Sequence, residues 1–169
     1  MGKIKEGRGS IIGNAGEYLV VGELLKRDII AALAPRNNPG FDVLATNGTN
    51  SLYIRVKTKT IAAKSWVWMC SKRDAGETIF KNIRDRFDFS VLVDLKGEDA
   101  SPEYYVIPTI DLDKELKAIN QRWLDSPPKR GKPHNPDDPM RRIGDTENQQ
   151  KWLSRWKNEW SLILRELER

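Results

Sequence analysis

The chain has 169 residues, 38% hydrophobic and 31% charged, a composition that suits a globular protein with a real core and excludes a disordered or fibrous chain. Its net charge of +5 and pI of about 9.3 permit a polyanionic partner. A single cysteine, Cys70, excludes an intrachain disulfide and a cysteine-cluster zinc site, and points to a reducing, cytoplasmic setting. No apolar run reaches the ~18 residues of a membrane span, so no membrane association is expected.

Residues 1–9 read as a basic, glycine-containing arm. A helix is predicted from Ser10 or Asn14 to Lys26. Glu17 shares its apolar face with Val20, Val21 and Leu24. Two readings of Glu17 stand: a metal ligand, or the closing residue of a capping box Asn14-x-x-Glu17. Asp28–Ala34 is a short strand candidate, followed by the turn Pro35–Gly40. Phe41–Thr46 and Ser51–Thr60 then form a predicted hairpin around Asn47-Gly48, a dipeptide suited to φ > 0. Along the return strand Leu52, Ile54, Val56 and Thr58 alternate with Tyr53, Arg55, Lys57 and Lys59, so the second set shares one face. Between Ser51 and Arg73 stand six cations and no acid, a face suited to phosphate.

Further on, Ser65–Ser71 is a strand candidate, with Cys70 read as a core residue. Asp74–Phe87 is a predicted helix, with a cap at Asp74-x-x-Glu77 and a stripe of Ile79, Phe80, Ile83 and Phe87. Phe89–Leu95 and Tyr104–Pro108 are strands by composition. Leu112, Leu116, Ile119 and Trp123 define an amphipathic helix. Residues 126–145 carry five prolines and two glycines and read as an irregular basic loop. That loop contains His134, the only histidine, which has no neighbour with which to hold a metal. Thr146-x-x-Gln149 opens a predicted long helix with Trp152, Trp156, Trp160 and Leu167 at core spacing.

The pairing of Asp42 with the triplet Arg55-Val56-Lys57, preceded by a helix bearing Glu17, resembles the core of the PD-(D/E)XK nuclease superfamily. Arg55 stands where that family carries an acid or glutamine. The resemblance implies an α/β fold: a mixed central sheet flanked by helices, with an αβββαβ restriction endonuclease-like core. The core would span residues 1–109 and a helical extension residues 110–169, together making one domain. It implies Glu17, Asp42 and Lys57 as catalytic residues, with Glu17 and Asp42 holding Mg²⁺ or Mn²⁺ once Arg55 swings away.

Nucleic acid, DNA favoured over RNA, is the implied partner, contacted by Tyr53, Arg55, Lys59, Lys64, Lys129, Arg130, Lys132, Arg141 and Arg142. A guanidinium beside a divalent cation repels it. The expectation is therefore that Arg55 pairs with Asp42 or Glu17 and that cleavage is weak or lost. An active enzyme with an altered metal site, and an interaction protein that keeps only the fold, are the alternatives. A dimer remains open.

Overall fold

Ser51–Lys59 (β3) lies at the centre of a five-stranded sheet, where its alternation places apolar residues on one face and the cations on the other. The computed structural model describes residues 8–35, 38, 40–69, 79–80, 82–128 and 131–169. The helix Arg8–Leu25 (α1) is followed by Ile30–Leu33 (β1), Val43–Thr46 (β2), β3 and Trp66–Met69 (β4). After a 3₁₀ turn, Asp85–Phe87, come Asp88–Asp94 (β5), Glu103–Pro108 (β6) and the helix Thr109–Asp125 (α2). Met140–Ile143 (β7) and the helices Glu147–Ser154 (α3) and Ser161–Leu167 (α4) complete the order.

The sheet order is β1-β2-β3-β5-β6. Its pairs are antiparallel except for β3 with β5, which run parallel and set Tyr53 against Asp88, Arg55 against Ser90 and Lys57 against Leu92. All seven residues of β5 are buried, as a strand covered on both faces should be. One face packs Ile54, Val91, Val93 and Val106 against Val20 and Leu24 of α1 and Ile163 and Leu167 of α4. The other packs Leu92, Tyr105 and Ile107 against Leu112 and Leu116 of α2, Trp66, Ile143 and Leu153. This is the mixed sheet between helices that the sequence implied.

Four local expectations change. The hairpin turns between the predicted strand ends, with Thr46 paired to Ser51 across a four-residue loop, but Asn47 does not take a positive φ. Gly48 has a positive φ of 93°, while the Asn47 side chain accepts from the backbone N–H of Thr49 and Asn50. An asparagine that folds back on its own loop replaces the type I′ turn.

The helix expected to run to Phe87 is absent from residues 82–87, where Asn82 takes a left-handed φ of 57° and only the 3₁₀ turn forms. Residues 74–78 and 81 of that stretch lie outside the described residues, as does Cys70. Phe80 instead buries its ring edge-on to Trp68.

The proline-rich segment contains a strand after all. β7 pairs antiparallel with β4 and covers the second face of the main sheet. The long C-terminal helix is two helices. Between them Asn158 has φ 57°, the Trp156 carbonyl accepts from Val106 N–H, and Asn158 N–H donates to the Tyr104 carbonyl. The break lets the linker satisfy the outer edge of β6, which would otherwise present unpaired backbone groups. It also sends the tryptophans to different places. Trp160 is 3% exposed beneath α1, whereas Trp152 and Trp156 pack, half-buried, on the other side of the sheet.

Candidate active site

α1 begins at Arg8, which places Asn14 and Glu17 well inside the helix. The capping-box reading of Glu17 therefore fails. Glu17 lines a cleft of about 350 Å³ together with Asn14, Leu33, Phe41 and Asp42. Asp42 lies just ahead of β2, and its backbone N–H donates to the Ile54 carbonyl of β3. Its carboxylate Oδ2 accepts the Val56 N–H at 2.7 Å. These two bonds fasten Asp42 to β3 on either side of Arg55, the second of them at the middle of the triplet Arg55-Val56-Lys57.

The cations of β3 are not equivalent. Arg55 makes a two-point ion pair with Asp88 of β5, Nε to Oδ1 at 3.0 Å and Nη2 to Oδ2 at 2.9 Å. Lys59 pairs with Asp94, at the other end of β5, at 2.6 Å, and its ammonium lies 4.8 Å from the Trp66 ring centre. Lys57, opposite Leu92, has no ion-pair partner among the described residues. It sits 5.8 Å from the Trp68 ring centre and feels the charge of Asp42.

Burial pushes the Lys57 ammonium below the usual lysine range, and Asp42 partly offsets this. Burial likewise pushes Asp42 above the usual carboxylate range, against the Val56 hydrogen bond and the charges of Arg55 and Lys57. A carboxyl and an amine whose charges act on each other are thus held in a partly desolvated setting.

The expected pairing of Arg55 with Asp42 or Glu17 is corrected: the acid that grips the guanidinium is Asp88, which sequence reasoning did not single out. An acid opening an otherwise apolar strand, Asp88-Phe89-Ser90-Val91, was the available signal. Lys59 is tied to Asp94 and only 11% exposed, so it is a poor phosphate contact. Arg141 is no surface residue either. It is 4% exposed, and its Nη1 donates to the carbonyls of Asp138 and Met140, because the β7–β4 pairing carries it inward.

Lys64, Lys132 and Arg142 are exposed, the last within 3.8 Å of Asp145. Lys129 and Arg130 lie outside the described residues. Tyr53 packs edge-on to Phe41 at 4.6 Å and beneath Arg84 at 4.1 Å. His134 rests against Trp123 and Ser126.

No three His, Cys, Asp or Glu side chains cluster to hold a metal among the described residues. Two carboxylates in one cleft, Glu17 and Asp42, still fit a hard cation such as Mg²⁺, which is commonly held by one or two carboxylates with water and phosphate oxygens completing the shell.

No family model matches the sequence, and no curated protein matches it. Among solved structures, the chain is similar to a bacterial homing endonuclease, I-Ssp6803I, at 16% identity and a TM-score of 0.52, over 98% of this chain and 94% of that one. A Holliday junction resolvase, Hjc of the archaeal hyperthermophile Archaeoglobus fulgidus, aligns at 18% identity and a TM-score of 0.36, over 58% of this chain and 73% of that one. The fold is restriction endonuclease-like, a mixed five-stranded sheet flanked by helices. No helix among the described residues is long and apolar enough to cross a membrane.

Proposed function

We propose that this protein is a metal-dependent phosphodiesterase acting on nucleic acid, DNA in the first instance, in a cytoplasmic setting. The observation that carries the reading is the placement of Asp42 on the Val56 N–H, beside a Lys57 that lacks an ion-pair partner among the described residues. Asp42 and Glu17 would hold Mg²⁺ or Mn²⁺. Such an ion, when bound, polarises a phosphoryl oxygen and acidifies water.

The chain's own residues do the rest. The Val56 N–H fixes one oxygen of Asp42, leaving the carboxylate oriented toward the cleft by its partner strand. Lys57 would supply positive charge where the phosphorane develops negative charge, and partial burial strengthens that interaction. Lys64 and Arg142, both exposed, are the cations suited to neighbouring phosphates.

Weak or lost cleavage was expected because Arg55 was to pair with Asp42 or Glu17. Its two-point tie to Asp88 instead supports the active reading. The test is cleavage of labelled duplex DNA and of RNA with Mg²⁺ or Mn²⁺, with chelator as control. Cleavage lost in both Asp42→Ala and Lys57→Ala is the expected result. Salt-sensitive binding without cleavage would leave a nucleic-acid binder of nuclease fold. Absence of both would leave an interaction protein.

A further inference from the structure

We propose that Asp88 is a positioning residue of this site: it holds the Arg55 guanidinium in a two-point ion pair and so keeps that charge off the divalent cation at Asp42 and Glu17. The inference rests on the metal-site reading above and deepens it.

Arg55 carries the wrong sign for its place in the triplet. On β3 beside the Val56 N–H that binds Asp42, an untethered guanidinium would compete with a cation for the same carboxylates. Several contacts hold it elsewhere. Nε and Nη2 each meet one oxygen of Asp88, at 3.0 and 2.9 Å, the fork geometry that only arginine offers a carboxylate. The Phe80 ring lies 5.7 Å from the guanidinium carbon.

Asp88 is itself immobilised. It is 1% exposed, and its Oδ1 also accepts from Thr109 Oγ1 at 2.7 Å. Thr109 opens α2, and its hydroxyl lies 2.9 Å from that of Ser90. The carboxylate is thus anchored to a helix as well as to its own strand. β5 applies the same device three repeats of the pleat away, where Asp94 takes Lys59. Opposite Lys57 it offers Leu92 instead. The strand pairs the cations on either side of Lys57, and Lys57 keeps no ion-pair partner among the described residues; the Arg55 charge still acts on Asp42, which is why its tether matters.

A clamp that merely joined β3 to β5 would serve stability alone. Every variant that breaks it would then lose stability and leave the metal affinity of the folded protein unchanged. The proposal requires metal affinity to follow the freedom of the guanidinium.

The experiment measures Mn²⁺ binding by calorimetry on wild type, Asp88→Asn, Arg55→Gln and the double variant, with folding checked by circular dichroism. Asp88→Asn should bind Mn²⁺ about tenfold more weakly or worse, since it frees a cation near the site. Arg55→Gln and the double variant should bind at least as tightly as wild type, even where their melting temperatures fall. Should Asp88→Asn fail to fold, Arg55→Lys takes its place. It keeps the charge, loses the fork, and should likewise bind more weakly. Equal affinity in wild type and in these variants overturns the proposal while leaving the metal site standing. No Mn²⁺ binding by wild type overturns the metal-site reading, and this inference with it.

Discussion

Gly16 of α1 lies directly against Thr58 of β3: a Cβ built on the glycine would overlap the threonine Oγ1 and come within 3.0 Å of its Cβ and Cγ2. Glycine is required there for close approach, not for turning the chain. The contact lowers α1 onto the central strand and brings Glu17, the next residue, to the cleft that holds Asp42. Gly16→Ala should therefore cost about 1–3 kcal/mol, the range for overpacking. Gly22, in the same helix with nothing within 4 Å, is the internal control. Gly22→Ala should stabilise by about 1 kcal/mol through helix propensity alone. Thermal denaturation of both variants checks the contrast, and equal shifts would refute it.

Two arginines adjacent in sequence should behave oppositely. Arg142 is exposed, so Arg142→Ala should leave stability nearly unchanged and reduce the salt slope of DNA binding by roughly 1 if it meets a phosphate. Arg141 is buried, with Nη2 unpartnered among the described residues and Nη1 on two carbonyls. Arg141→Ala should leave the slope unchanged. Its stability cost should be about 1–3 kcal/mol, from the two carbonyls it orphans. Fluorescence anisotropy across a salt series, paired with urea denaturation, reads both quantities. A reduced slope for Arg141→Ala would return it to the DNA-binding set.

What the sequence disclosed follows from where the controlling contacts are. β3 and β5 were legible because local alternation and a continuous apolar run are properties of the strands themselves. Glu17 and Asp42, which line one cleft, and Lys57 stood out in the sequence through the motif resemblance of the helix and hairpin that carry them. The inward turn of Arg141 was not, because it depends on β7 pairing with β4, more than 70 residues earlier in the chain. A four-residue strand among prolines leaves no periodicity to count. The break between α3 and α4 was hidden for the converse reason: the apolar spacing runs straight through it, and the edge of β6 decides the conformation. Asp88 escaped notice because a parallel crossover brings it to Arg55 from 33 residues away.

Acid should expose a second cluster. Glu103 accepts from Lys157 and Lys96, at 2.7 and 2.9 Å, and from the Tyr105 hydroxyl at 3.1 Å. These donors, Lys157 foremost, pull its carboxyl from 4.5 down to about 2. A depressed acid contributes stability that is complete above the unfolded value and is lost as pH falls through the folded one. The loss therefore belongs between pH 4.5 and about 2. Because the side chain is still partly exposed, at 28%, screening reduces its contribution to about 1 kcal/mol. Urea midpoints should fall across that window in wild type, and the fall should be smaller in Glu103→Gln. An identical acid profile in the variant would remove Glu103 from the account.

The sharpest test of the site is Asp42→Asn, because it separates the two jobs of that side chain. The asparagine carbonyl still accepts the Val56 N–H, so the bond that fixes the residue on β3 survives and the protein should fold. The negative charge is lost. Burial already holds Lys57 low, and Asp42 is the group that pulls it back up. In Asp42→Asn the lysine should titrate lower still, a shift that ¹⁵N NMR of the lysine amines can follow without any metal or substrate. Metal affinity should fall together with cleavage, the latter by about 1000-fold or more, since a bound cation supplies several kcal/mol to such a transition state. Asp42→Ala should do the same and, by orphaning the Val56 N–H, also lower the melting temperature. A Lys57 titration unmoved by Asp42→Asn would show that the two groups do not share a site, and the reading of this cleft as a phosphodiesterase centre would fail with it.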